Sequence, residues 1–587
     1  MRNSGKAAAL SLVLAATLAA CTSAPPAPVV TTSAAQSSVA APTSQIVIGV
    51  DDIAGGYNPH NLADQSTITT ALSQLLLPSV FRKIDDGDYK LDTTLMRSAE
   101  VTSQNPFTVT YQIRQDASWS DGAPIAVEDF IYLRDAMRDQ SGVVEPAGYR
   151  LISDIQPRDG GKGVAVTFSK PYPGWKTLFS DLLPAHLLKD APGGWQGALA
   201  TSFPANGGPF AIKQADNARG EIILERNERY WEKPAAIDQI VLRRADEASM
   251  RAALLSGNDQ FVLSRTDGTG LNLLRELGNT AQLHTIANPR VADVLLRPAN
   301  GVLINDQVRA GVAALLDRAK LIDAGTSGGP SASLRADAQV IPPSAPGYAP
   351  TVPAGTGVPD PVKAEQVLTS AGYTKQAGSW RKDGRPLSVV IASPGQIEPY
   401  PSIAKELARQ LTAAGVGVST INPQPRDLFA TLLAMPVSKS DQTTTADGSG
   451  SVGVDIAVVP MPVGGDNASV LASTFGCRPG QDTSVSTVPA NPAAVCDPSI
   501  QEPIDAALTG TKPLSDALGE LEPKLWAQHT VIPLFQLADT LAMGSTISGV
   551  TAGPPLVGPF GSTPVDWTRG AAPASSTSPT PTTATSH

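Results

Sequence analysis

Cysteine and histidine are scarce: three cysteines and five histidines in 587 residues, one of the histidines at the last position. General acid–base chemistry therefore has few candidates. Cys477 and Cys496 have no histidine near either of them, which excludes a mixed Cys/His metal site. An H-E-x-x-H pair and a phosphate-cradling Walker A loop are also missing. Two short strings look catalytic and fail on context. Gly325-Thr326-Ser327-Gly328-Gly329 matches G-x-S-x-G, but a nucleophile elbow needs a strand before it and a helix after it. Here a helical pattern precedes and Pro330 follows. Ser402-Ile403-Ala404-Lys405 matches S-x-x-K without a K-T-G or S-D-N partner. The chain reads as a non-enzyme, with no cofactor or metal implied. Positive charge is in short supply as well: 44 basic against 54 acidic residues, net −10. That balance argues against nucleic acid or anionic lipid head groups as the main partner.

Long apolar runs are absent beyond the first twenty residues, so nothing later reaches the ~20 residues a spanning helix needs. Arg2 and Lys6 followed by the uncharged stretch Ala7 to Ala20 form the n- and h-regions of a secretory signal, residues 1–20. Leu18-Ala19-Ala20-Cys21 resembles the bacterial lipobox, in which the cysteine takes a diacylglyceryl group; an ordinary signal with a chance cysteine is the alternative. Each buried methylene of such an anchor contributes about 0.8 kcal/mol. Cys21 is therefore expected to be lipidated and to hold the protein on the extracytoplasmic face of the cell membrane. Outside the cytoplasm Cys477 and Cys496 read as a disulfide closing a short loop, worth roughly 3 kcal/mol for ~15–20 residues. Two separate thiols are the alternative.

Residues 21–45 carry no charge and are rich in Ala, Ser, Thr and Pro, as is the end of the chain, 569–587, apart from Arg569. The first reads as a flexible tether and the second as a disordered tail. Between them, β-branched runs at 45–50, 106–114, 164–168, 221–226, 239–244, 387–392 and 455–460 read as strands. Residues 359–373 read as a helix capped by Asp360, opened by Pro361 and stopped at Gly372. Residues 304–323 place Val308, Val312, Leu315 and Leu316 on one helical face. Residues 401–421 read as a helix and then a strand, the step that builds a βαβ unit.

The stretches "GPFAIKQADNARGEIILERNERYWEKPAAID" (208–238) and "LRRADEASMRAALLSGNDQF" (242–261) resemble the extracellular solute-binding proteins of family 5, the oligopeptide-, dipeptide- and nickel-binding lipoproteins. Blocks at 55–76, 107–137, 340–350 and 527–537 follow in the family's order. In the second of these Trp119 and Phe130 read as core anchors. Ala126 stands where the family has a capping Ser or Thr, a loss of about 1 kcal/mol.

The resemblance implies an α/β fold of the periplasmic-binding-protein type II (cluster C): two main lobes and an inserted subdomain around a hinged cleft. Residues 46–80, 205–300 and 530–568 would form lobe I, 81–204 the inserted lobe II, and 301–529 lobe III. Peptide-binding members hold the peptide's amino group with an Asp after the strand matching 455–460. Here only Asp466 survives in 461–477, without the usual aromatics and proline, which weakens the case for a zwitterionic peptide. Asp466 is a ligand candidate or a solvated loop residue; Tyr57, Asn58 and His60 face the cleft or form a hinge loop.

The leader, tether, insertion 438–453 and ending 554–570 are similar to an actinobacterial branch associated with phosphatidylinositol mannoside and lipoarabinomannan synthesis. The implied function is a monomeric regulator that binds such a glycolipid and governs its access to mannosyltransferases. The alternative is the receptor of an ABC permease for oligopeptides or another small solute.

Overall fold

The computed structural model describes residues 44–53, 56–299, 301–437, 453–478, 488–561 and 564–570. The signal segment, Cys21, the tether up to residue 43, most of the insertion and the tail beyond residue 570 lie outside them. Among the described residues no helix is long and apolar enough to cross a membrane.

The strands expected from β-branched runs form where that chemistry places them. In Phe107–Ile113 burial alternates strictly, with Phe107, Val109, Tyr111 and Ile113 inward and Thr108, Thr110 and Gln112 half-exposed. This two-residue period is that of a sheet with one face on a core. It pairs in an antiparallel four-stranded sheet ordered Met96–Gln104, Phe107–Ile113, Gly163–Phe168, Ile152–Arg158. Helix Val127–Asp139 packs on the last of these and buries Phe130, Leu133 and Met137. Ala126 offers no capping hydroxyl, and Asp129 takes over from the other side. Its Oδ2 accepts from Ala126 N at 3.0 Å and from Trp119 Nε1 at 3.2 Å, while Oδ1 accepts from Ala185 N at 2.9 Å. One half of a capping box thus remains.

A mixed sheet of ten strands carries the rest. Gln45–Val50 lies parallel to both Gln239–Arg244 and Phe261–Ser264. Two long strands, Ala281–Leu296 and Val531–Gly544, pair antiparallel and continue the sheet to Ile456–Pro462, Ser388–Ala392 and Gly417–Ile421. These last three run parallel, and Ile456–Pro462 is buried along nearly its whole length, as expected of a strand covered on both faces. Helix Tyr400–Ala413 supplies one cover with Ile403, Leu407 and Leu411, four residues apart and fully buried. The helix-then-strand reading of 401–421 is this βαβ crossover. The ladder between the two long strands shifts register between Ala287 and Val291, where Pro289 has no N–H to give.

Helix Pro361–Ser370 forms as read: Asp360 accepts from Lys363 N at 2.9 Å and Gly372 follows at φ +91°. The single helix expected over 304–323 is two, Asp306–Ala314 and Arg318–Thr326. Asp317 breaks it by acting as N-cap of the second, accepting from Lys320 N. Val308, Val312 and Leu316 are buried; Leu315 is only half-buried. Ser327 closes the second helix in the left-handed region, so no strand leads into the G-x-S-x-G string. At the edges of the fold Gln45 is already strand, with Ser44 bonded to Asp238, and Arg569 pairs with Ile547.

Cys477 and Cys496 are bonded, closing a loop of sequence separation 19. Replacing both with serine is expected to lower stability by about 3 kcal/mol. The urea unfolding midpoint, compared under non-reducing conditions, measures the loss.

Candidate functional site

A cavity of about 240 Å³ opens where five segments meet: the turn after Tyr57, the hairpin Phe81–Lys83 with Tyr89–Leu91, residues 144–149, residues 177–181, and the loop after strand Ile456–Pro462. Leu556 and Val557 of the C-terminal segment complete it.

The four ligand candidates occupy different places. Tyr57 is fully buried, stacks on Phe203 at 6.1 Å and donates its hydroxyl to Asn217 Oδ1 at 3.1 Å. Asn58 is also fully buried; its Oδ1 accepts from His60 N and its own N–H donates to Asp64. Neither lines the cavity. His60 does, with Nε2 at 2.9 Å from the carbonyl of Asp181, a contact that needs the proton on that nitrogen. Burial pushes the imidazole pKa down, which keeps the ring neutral. Asp466 is half-buried and caps helix Asn467–Phe475, accepting from Ala468 N at 3.2 Å and from the Tyr172 hydroxyl. It does not line the cavity. Its place just before the helix is an ordinary N-cap signal.

The buried turn has a positioning role. Val144 N donates to His60 O at 2.9 Å and Leu62 N to Gly142 O at 2.8 Å, while Ala147 N donates to Ser473 Oγ from the other side. Held between these bonds is Glu145, at φ +47° on a non-glycine residue. Such strain persists only where the surroundings enforce it. The Glu145 carboxyl faces the cavity against Gly465, where an added Cβ would come within 2.3 Å of Oε2. Burial first, and then the negative charge of Asp466, push its pKa up to about 8, with Lys83 opposing. Lys83 donates to Gly464 O at 3.0 Å and lies 5.8 Å from the Tyr89 ring centre. Gly464 has φ +85°, and a Cβ there would sit 2.0 Å from Leu556 Cδ1.

Arg82 also lines the cavity, but its three nitrogens are already engaged by Asp92 at 2.6 Å, Gln74 at 2.9 Å and the Leu77 carbonyl at 3.0 Å. Asp181 is buried with a raised pKa and meets the Ser79 hydroxyl. Among the described residues no three such side chains are placed to hold a metal ion. The cavity offers the Glu145 carboxyl, the Lys83 amine, the His60 ring and the Tyr89 ring. Three of the five Arg82 N–H groups are held within the protein. Glu145 and Lys83 carried no sequence signal: each sits in an irregular stretch or short hairpin, outside any periodic pattern.

A family model, "Bacterial extracellular solute-binding proteins, family 5 Middle", matches residues 90–447. The "Probable monoacyl phosphatidylinositol tetramannoside-binding protein LpqW" of Mycobacterium tuberculosis is 34% identical, covering 92% of this chain and 94% of that one. The "Oligopeptide-binding protein OppA" of the same species is 26% identical over 58% of each chain. Among solved structures, the oligopeptide-binding protein AppA from Bacillus subtilis in complex with a nonapeptide superposes with a TM-score of 0.66. It is 16% identical, covering 90% of this chain and 100% of that one.

Proposed function

Because the chain belongs to the bacterial extracellular solute-binding proteins of family 5, with their type II periplasmic-binding-protein fold, we propose that its cleft binds the mannosylated head group of a phosphatidylinositol mannoside. On this reading the protein binds and does not catalyse, and a lipid on Cys21 holds it at the outer face of the cell membrane. It controls the access of elongating mannosyltransferases to that intermediate, and so regulates phosphatidylinositol mannoside and lipoarabinomannan synthesis.

The observation that carries this reading is the placement of Asp466. The carboxylate that would meet a peptide's amino group is spent on capping a helix, outside the cavity wall. At the same time Arg82, a candidate for the peptide's carboxylate, already gives three of its five N–H groups to Asp92, Gln74 and the Leu77 carbonyl. A glycan asks instead for paired donors and acceptors and a ring to stack on, which Glu145, Lys83, His60 and Tyr89 supply. The second reading, the binding component of an ABC importer for oligopeptides, draws on one feature: Glu145 and Asp466 lie near enough to repel each other, an arrangement that suits an ammonium group.

Native mass spectrometry of the protein, extracted without denaturation, separates the two. A bound phosphatidylinositol mannoside supports the first, and a mixture of peptides sinks it. Affinity against pH gives an independent result. At pH 7 the Glu145 carboxyl is mostly protonated and both donates and accepts; that form is lost as pH rises past about 8. Binding of a soluble mannotetraose is expected to weaken across that range. Glu145→Gln should flatten the profile and keep the pH 7 affinity, and Glu145→Ala should lose about tenfold. A peptide amino group, which loses its own proton at about pH 8, would instead give an affinity maximum near that pH.

A further inference from the structure

One wall of the cleft is a loop tied down at both ends. Ile547 pairs with Arg569 and Ser548 with Thr568, and past the loop Phe560 and Trp567 pack on Phe261 at 6.1 and 5.6 Å. Between these anchors, every hydrogen bond that residues 550–558 make among the described residues stays inside the loop. Gly553 N donates to the Thr551 hydroxyl, Val557 N and Gly558 N to the Pro554 carbonyl, and Gly561 N to that of Gly558. Glycines at φ +85°, +74° and +79° stand at 549, 553 and 558, where the backbone is freest to pivot. The middle of the loop meets the cleft through two half-buried side chains, Leu556 and Val557.

Leu556 is the strained member. It sits at φ +68°, a left-handed conformation that a non-glycine residue keeps only where its surroundings enforce it. Its Cδ1 lies so close to Gly464 that a Cβ there would be 2.0 Å away, while Lys83 holds the Gly464 carbonyl at 3.0 Å. The side chain is placed as a plug. With the plug in, the cavity is about 240 Å³, below the roughly 300–1,000 Å³ of sites that enclose a small molecule. A chain of several sugars does not fit in that space.

We propose that Leu556 sets the size of ligand this cleft admits: the loop 549–558 is a lid, and swinging it out about its glycines lifts Leu556 off Gly464 and opens the cleft to a longer ligand. This rests on the cleft being the binding site proposed above.

A thiol placed in the cleft reads the lid without any ligand. Ser180 lines the cavity. Ser180→Cys in the full-length protein is labelled with N-ethylmaleimide and with a maleimide carrying a bulky rigid group, and its peptide is followed by mass. The ratio of the bulky to the small reagent's rate is expected to rise about tenfold or more when Leu556→Gly or Leu556→Ala is added. Leu556→Met, which keeps the bulk, should leave it where it was. A second arm uses sugars: the association rate of mannotetraose should rise about threefold or more in Leu556→Gly, and that of mannose should not change. An unchanged labelling ratio in the glycine and alanine variants overturns the lid, whatever mannotetraose does. A raised ratio with no mannotetraose binding in any variant upholds the lid and sinks the glycan reading instead. An equal gain for mannose and mannotetraose overturns the size-setting role.

Discussion

Arg297→Ala is expected to cost about 3–5 kcal/mol of stability, the range for stripping a buried charged network of its centre. The side chain is 1% exposed at the end of strand Ala281–Leu296. Its Nε donates to the carbonyl of Pro492, Nη1 to that of Val454 and Nη2 to that of Leu433, each at 2.8 Å. Three segments distant in sequence thus end on one guanidinium. Removing it leaves three carbonyls short of a partner and a void where the side chain stood. Burial lowers the Arg297 pKa to about 10, with Asp455 opposing, so it stays charged at any physiological pH. Arg297→Met separates the two contributions. It refills most of the volume without the bonds, and its unfolding midpoint should fall between wild type and alanine. An alanine variant within 1 kcal/mol of wild type in urea would show that water replaces the guanidinium.

Trp567→Ala is expected to have a similar effect, about 3–5 kcal/mol, for a different reason. The indole is fully buried, edge-on to Phe261 at 5.6 Å and 90°, and 5.6 Å from Phe560. Its Nε1 has no hydrogen-bond partner. The contribution is therefore packing alone, and Trp567→Phe should cost only about 1–2 kcal/mol, with one less unsatisfied donor. Phe261 lies on a central strand of the large sheet, whereas Leu556 and Val557 of the same C-terminal segment line the cleft. Loosening Trp567 should therefore weaken ligand binding as well as stability. Thermal melts with and without ligand would show a smaller ligand-induced shift in the alanine variant than in wild type.

Local elements were largely legible because they rest on short-range chemistry. The alternation in Phe107–Ile113 and the Asp360–Pro361 helix start are written within a few residues. Sheet order is another matter. Gln45–Val50 pairs with Gln239–Arg244, and Ala281–Leu296 with Val531–Gly544, across separations that no local pattern encodes. The resemblance to a family supplied what periodicity did not. The break in 304–323 shows the limit in the other direction: Asp317 carried a cap signal that the apolar face masked.

For the candidate site, the residues easiest to notice, Tyr57 and Asn58, serve as buried scaffold around the turn that also carries His60. Glu145 escapes notice because its position depends on bonds from His60, Leu62 and Ser473, and on a left-handed backbone that a non-glycine residue gives no warning of. Asp466 was visible as an acid, but helix Asn467–Phe475, which it caps, was not read from the sequence.

The glycine pair at 464 and 465 has a consequence for how this cleft can change. One wall presses Leu556 against the first and the Glu145 carboxyl against the second, so neither position accepts a side chain without displacing its neighbour. These two positions of the wall are thereby closed to variation. New specificity has to be written through side chains that do not press on this pair, such as Tyr89, Ser180 and Gln74. A saturation library of the cleft would return glycine at both positions and diversity at residues such as Tyr89, Ser180 and Gln74, and directed evolution toward another ligand should begin there.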